Sequence, residues 1–181
     1  INSLITGEKG VGKSSLATYI LPDAPVVDAS DFNNLLSTLE SSKEIIITNF
    51  ENLPNIKIVI ESINLNEVRV IATAKTSFDY EKIDDLFSVK FNIPPLRERL
   101  EDVSLLIDIF IKEASLLFSG EAEFNIKDFK HDLSENANSL RRQVMINYLL
   151  QDIKDTELMS IIENYLSNKL GSNSDYRKFL Y

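Results

Sequence analysis

Near its start the chain carries Gly7-Glu8-Lys9-Gly10-Val11-Gly12-Lys13-Ser14, which fits the pattern G-x-x-x-x-G-K-[ST]. Asn2 to Thr6 before it reads as a short buried strand, and Ser14 to Ile20 after it as the start of a helix. Glycines at these spacings let the backbone turn so tightly that consecutive N–H groups point inward. The helix N-terminus adds a partial positive charge at the same place. Strand, loop and helix together predict a phosphate cradle, and hence an α/β chain with a parallel sheet. The candidate binding residues are Gly7, Glu8, Lys9, Gly10, Val11, Gly12, Lys13, Ser14 and Ser15. In such a loop Lys13 reaches the β- and γ-phosphates and the Ser14 hydroxyl ligates Mg²⁺.

The segments that follow support an alternating architecture. Val26-Val27-Asp28 is a short strand candidate. Asp31 to Leu39 places Phe32, Leu35, Leu36 and Leu39 on one helical face. Glu44 to Asn49 is a β-branched run suited to a strand buried on both faces. Ile56 to Ile63 is predicted as a covering helix. Val68 to Ala74 and Phe87 to Ile93 are predicted as further buried strands, the last ended by Pro94-Pro95. This alternation implies a parallel sheet with crossover helices. After Pro95 the character changes. Leu96 to Phe118, Ile126 to Leu133, Ser139 to Asp152 and Glu157 to Leu170 show helical periodicity, and Gly171 to Ser174 reads as a linker. The expected division is an α/β core over 1–95, a small all-α part over 96–170 and a linker over 171–181. No internal repeat is visible.

Composition narrows the chemistry. The 181 residues hold 44% hydrophobic and 26% charged residues, ordinary for a globular protein. No apolar run reaches the roughly 20 residues of a membrane span. The absence of cysteine excludes disulfides and thiolate-held metal, and fits a cytoplasmic setting. The single histidine, His131, reads as a surface residue. A net charge of −9 and a pI of about 4.7 make nonspecific nucleic-acid binding unfavourable. Any DNA contact is expected through a domain outside this sequence. The chain begins with Ile1, shows no basic flank of a signal peptide, and ends in a helix-like pattern, so it is expected to be part of a longer protein. Phe110, Phe118, Phe124 and Phe129 are expected in the core of the helical part rather than on a base-stacking platform.

A phosphate loop, a parallel sheet and then a helical lid resemble the AAA+ ATPases. Two stretches narrow the likeness to the bacterial enhancer-binding proteins, the sigma-54-dependent transcription activators. Leu4 to Lys13 is similar to that family's phosphate loop, and Pro94-Pro95-Leu96-Arg97-Glu98-Arg99-Leu100-Glu101-Asp102-Val103 to the string that opens its lid. Val68 to Ala74 and Asn136 to Val144 match further stretches, so the resemblance runs along nearly the whole chain. It implies ATP or ADP with Mg²⁺ as ligands, RNA polymerase or other regulators as partners, and a helix-turn-helix domain beyond the lid.

The departures imply a degenerate member. The family's Asp-Glu pair, which supports Mg²⁺ and activates water, aligns with Thr48 and Asn49, and Asn49 cannot accept a proton. Glu51 falls two residues past the strand end. The sensor asparagine aligns with Lys75. The arginine-finger segment aligns with Ile83 to Val89 and holds no arginine. The lid arginine aligns with Asn138, with Arg141 or Arg142 one turn further on. About thirty residues separate Ser14 from Ile45, half the family's length there, which leaves no room for its GAFTGA loop. The expected function is therefore nucleotide binding with weak or lost hydrolysis, in a monomer or dimer rather than a hexamer. Two alternatives stay open. One is an ATPase with rearranged residues that draws on Asp28, Glu51 or Asp79. The other is a scaffold that binds no nucleotide.

Overall fold

A computed structural model describes residues 1–76, 85–118, 130–150, 157 and 159–164. The order of elements is β1 (Ser3–Gly7), α1 (Lys13–Ile20), β2 (Val26–Asp28), α2 (Phe32–Ser41), β3 (Glu44–Thr48), α3 (Ile56–Asn66), β4 (Arg69–Ala74), β5 (Val89–Ile93), α4 (Glu101–Phe118) and α5 (Ala137–Leu150). The five strands form one parallel sheet in the order β2-β3-β4-β1-β5. This is the P-loop α/β fold of AAA+ domains.

Helices cover both faces of the sheet, and side chains alternate between them as the pleat requires. On one face Leu4, Ile45, Ile47, Val70 and Ala72 pack under α2 and α3, joined by Leu35, Leu39, Val59 and Ile63. On the other, Ile5, Ile46 and Ile71 pack under α1 through Ala17 and Leu21. Ile45, Ile46 and Ile47 are all fully buried, so β3 faces protein on both sides and its apolar run never alternates. Two caps set the covering helices. The Asp31 side chain accepts from the Asn34 N–H at the start of α2, and Asn55 from the Ile58 N–H at the start of α3.

Three expectations need correction. β5 is an edge strand rather than a buried one, with Val89 and Phe91 about half exposed and only Ile93 buried. Among the described residues it pairs with β1 alone, and its alternation of apolar and polar residues suits an edge. Phe87 lies before the strand, buried edge-to-face against Phe50 with ring centroids 5.5 Å apart. Second, the helix expected from Leu96 begins at Glu101; Leu96–Glu98 form a separate 3₁₀ turn. Proline supplies no amide proton for a helix, so the chain leaves Pro94-Pro95 extended before it can coil. Third, the described residues 130–133 of the helix expected over Ile126 to Leu133 are not helical. The rest of that helix, Asp79, Ile83, Phe124, Phe129 and the linker over 171–181 lie outside the described residues.

α4 and α5 pack on each other around Val103, Ile107, Phe110, Ile111, Ala114, Leu140, Val144 and Tyr148, with Leu96 in the same cluster. Phe118 stacks on Tyr148. His131 is exposed. Among the described residues no helix is long and apolar enough to cross a membrane.

Candidate nucleotide-binding site

In a parallel sheet all strands point the same way, so Gly7, Asp28, Thr48, Ala74 and Ile93 end at one edge. Ligands of open α/β sheets bind beyond that edge. The loop from β1 to α1 runs along it. Gly10 (φ 81°) and Gly12 (φ 103°) adopt left-handed backbone there. A Cβ on Gly12 would meet no atom within 4 Å, so the backbone over the start of α1 faces open space. α1 has no side-chain cap and no acidic residue in its first turn. No side chain of the helix itself therefore balances its positive end.

Lys13 lies in this cradle, half-buried, its Nζ donating to the carbonyls of Gly7 (2.9 Å) and Glu8 (2.8 Å). Burial pushes its pKa down; the Glu51 charge opposes that shift and the Lys75 charge adds to it. An ammonium desolvated in this way gains from an incoming phosphate.

A cleft of about 700 Å³ opens above the cradle, within the size range of small-molecule sites. Lys9, Gly10, Val11, Gly12, Lys13, Ser14 and Ser15 line its floor, Asn49 and Thr73 one side, and Leu105, Leu106, Phe110, Asn138 and Arg141 the facing helices. Gly7 and Glu8 do not line it. Gly7 is buried at the base of the loop, where a Cβ would lie 2.9 Å from the Ile93 carbonyl oxygen. The Glu8 carboxylate turns away and accepts both Arg97 guanidinium NH₂ groups, at 2.8 and 2.6 Å.

The loop is tied to the chain after β5. Arg99 NH2 donates to the Val11 carbonyl at 2.8 Å, and Arg99 also holds the Pro94 carbonyl and Asp102. Asn136 is buried in left-handed backbone (φ 56°). Its Oδ1 accepts from the Leu96 N–H at 2.7 Å, and its Nδ2 donates to the Lys9 carbonyl at 2.9 Å and to Glu8 at 3.2 Å. The Ala137 N–H donates to the Gly10 carbonyl at 3.1 Å. Sequence reasoning missed these ties. The two arginines of the Pro-Pro-Leu-Arg-Glu-Arg string were their only visible signal.

At the end of β3, Thr48 and Asn49 stand beside Asp28, which pairs with Thr48 in the ladder. Asn49 adopts left-handed backbone (φ 53°, ψ 47°) and its Nδ2 donates to Asp28 Oδ2 at 2.6 Å. Hydrogen bonds, first from Ser30 and then from Asn49 and Thr48, hold the Asp28 carboxyl below the usual range. Glu51 turns back toward the site through the 3₁₀ turn Phe50–Asn52. Its carboxylate, only 14% exposed, pairs with Lys75 Nζ at 3.5 Å and accepts the Lys75 N–H at 3.3 Å. Of the two arginines on α5, Arg141 reaches the cleft wall and is bound bidentately by Glu113. Arg142 pairs with Glu135 and does not line the cleft. Among the described residues no cluster of three or more acidic or histidine ligands could hold a metal ion by itself.

No family model matches the chain and no curated protein matches it. Solved structures do. NtrX from Brucella abortus in complex with ADP shares 18% identity at a TM-score of 0.68, over 85% of this chain and 46% of that one. The same protein in complex with ATP shares 17% identity at a TM-score of 0.69, with the same coverage. This chain therefore spans less than half the length of those proteins, and at such identity the likeness concerns the fold.

Proposed function

We propose that the chain is the nucleotide-binding AAA+ domain of a transcription regulator resembling the sigma-54-dependent activators, holding ATP or ADP with weak or lost hydrolysis. One observation carries this reading: the uncapped N-terminus of α1 lies under open space at Gly12, with half-buried Lys13 beside it. That arrangement fits phosphate, and the apolar wall of Leu105, Leu106 and Phe110 across the cleft fits a base. Lys9 to Ser15 would hold the phosphates, and Ser14 would supply the hydroxyl for Mg²⁺. The fold shared with structures that hold ADP and ATP supports the same ligand class.

Weak hydrolysis follows from what stands around the cradle. Asn49 lacks a proton-accepting group, and Glu51, the nearby carboxylate, is engaged by Lys75. The stretch between α1 and β3 is taken up by β2 and α2, which supports the absence of a sigma-engaging loop. In this reading residues 1–95 are the core and 96–170 the lid. Residues 171–181 lead toward a DNA-binding domain, and the partners are RNA polymerase or other regulators.

Thermal-shift titration with ATP and ADP, with and without Mg²⁺, tests the assignment. A ligand that binds only the folded state stabilises it by RT ln(1 + [L]/Kd), about 2.7 kcal/mol at a hundredfold excess over Kd. A concentration-dependent shift is expected in the native chain and its loss in K13A. A flat response in the native chain overturns the assignment. Phosphate release that disappears in K13A would favour an active ATPase instead.

A further inference from the structure

Three successive peptides of the phosphate loop have their carbonyls held from outside the loop. The Lys9 carbonyl accepts from Asn136 Nδ2 at 2.9 Å, the Gly10 carbonyl from the Ala137 N–H at 3.1 Å, and the Val11 carbonyl from Arg99 Nη2 at 2.8 Å. The described peptide bonds are all trans, and across a trans peptide the carbonyl of one residue points opposite to the N–H of the next. Drawing these three oxygens toward Arg99 and the start of α5 therefore turns the N–H groups of Gly10, Val11 and Gly12 the other way. Among the described residues none of those three N–H groups meets an acceptor. The loop thus spends its acceptors on protein and keeps its donors, the polarity that suits an anion. A loop with glycine at 10 and 12 has much backbone freedom to lose. Donors fixed before a ligand arrives spare it that cost.

We propose that Arg99 is a positioning residue of the phosphate loop. By gripping the Val11 carbonyl it fixes the Gly12 N–H, as Asn136 and the Ala137 N–H fix the two peptides before it, so that three adjacent donors are left for the phosphates of a nucleotide. This deepens the nucleotide-binding reading above and rests on it. Arg99 suits the part because each of its nitrogens is engaged by protein. Nε donates to the Pro94 carbonyl at 3.1 Å and Nη1 to Asp102 at 2.8 Å, beside the bond from Nη2 to Val11. A planar guanidinium held at three points has one orientation, which a single ammonium cannot reproduce. Arg97, two residues earlier, carries the same charge but grips the Glu8 carboxylate rather than a loop carbonyl. Phosphate affinity is then set in part by a side chain that serves the loop and not the ligand.

The experiment titrates ADP by calorimetry into the native chain, R99A, R99K and R97A, each first checked for native fold by circular dichroism. Affinity is expected to fall about tenfold in R99A, the scale of one lost hydrogen bond to a charged group. R99K, whose ammonium reaches one carbonyl at a time, should recover part of it. R97A should stay within about twofold of the native chain, since it removes only an exposed ion pair. Native affinity in R99A overturns the positioning role and leaves nucleotide binding standing. A fall in R97A as large as in R99A traces the loss to charge and overturns it too. A native chain that does not bind ADP overturns the nucleotide reading itself. Whether or not the variants fold, ¹⁵N NMR of the native chain during titration with inorganic pyrophosphate gives a second reading. The Gly10, Val11 and Gly12 amides should shift and exchange more slowly with solvent, while the Arg99 Nε signal stays in place. An Arg99 signal that moves as far as those amides would mean direct contact with the ligand, and amides that stay still would mean that the loop's donors are unused. Either result overturns the proposal.

Discussion

A methyl group placed on Gly10 would lie 2.3 Å from the Glu135 carbonyl oxygen and 3.1 Å from the Asn138 amide, whereas one placed on Gly12 meets nothing within 4 Å. Both residues hold left-handed backbone, so alanine at either adds about 1–2 kcal/mol of strain. Only at Gly10 must the α5 turn also move. We expect G10A to lose roughly 2–4 kcal/mol of folding stability and G12A only about 1–2 kcal/mol, as read from urea midpoints. Equal losses would mean that the α5 turn does not press on the loop. The glycine pattern was legible in the sequence because few backbones other than this loop need glycine at those spacings. The different reasons for its glycines were not, because Gly10 answers to a turn far along the chain. The pairing of Asn49 with Asp28 was hidden in the same way. It depends on the register of β2 against β3, which places Asp28 beside Thr48, and single-sequence patterns carry no register for a strand this short.

Between elements, the loop after β1 is fastened to the 3₁₀ turn after β5 by the Glu8–Arg97 pair. Hydrogen bonds from Arg97 and then from Asn136 hold the Glu8 carboxyl down to about 2, from an ordinary 4.5. A carboxyl with a lower pKa in the folded state stabilises above its unfolded value, and that contribution disappears as pH falls toward the folded one. Between pH 4.5 and 2 the native chain should therefore lose melting temperature more steeply than E8Q. Because the pair is exposed, salt should shrink the difference. Parallel curves at low salt would show that the pair contributes nothing. The sequence showed the elements better than their ties. β1, β3 and β4 were legible because a strand buried on both faces leaves an unbroken apolar run, as in Ile45-Ile46-Ile47. β5 misled because Val89 and Phe91 are strand formers that the fold nonetheless leaves on its edge. Arg97 and Arg99 stand in one string, yet they fasten different parts of the loop, Arg97 the Glu8 carboxylate and Arg99 the Val11 carbonyl.

Across the whole molecule, Asn136 joins what the sheet and the helix pair would otherwise keep apart. Its side chain touches the phosphate loop at Lys9 and Glu8 and the start of the helical part at Leu96, and its neighbour Ala137 bonds to Gly10. Any ligand between Lys13 and Arg141 would lie in a cleft whose two walls this residue holds together. The cleft's cations, Lys9, Lys13, Arg99 and Arg141, also stand out in a chain of net charge −9, which favours a small anion there over an extended polyanion. N136A should leave the buried Leu96 N–H unpaired, at about 1–3 kcal/mol, and put alanine in left-handed backbone at about 1–2 kcal/mol. N136G relieves the second loss but not the first. Hydrogen exchange should then separate the two halves. In both variants the α5 amides should exchange faster than in the native chain while the β3 amides change little, and N136G should recover part of the global stability without restoring α5 protection. If N136G restored protection in α5, backbone conformation alone would be holding the walls together and the side chain would have no coupling role.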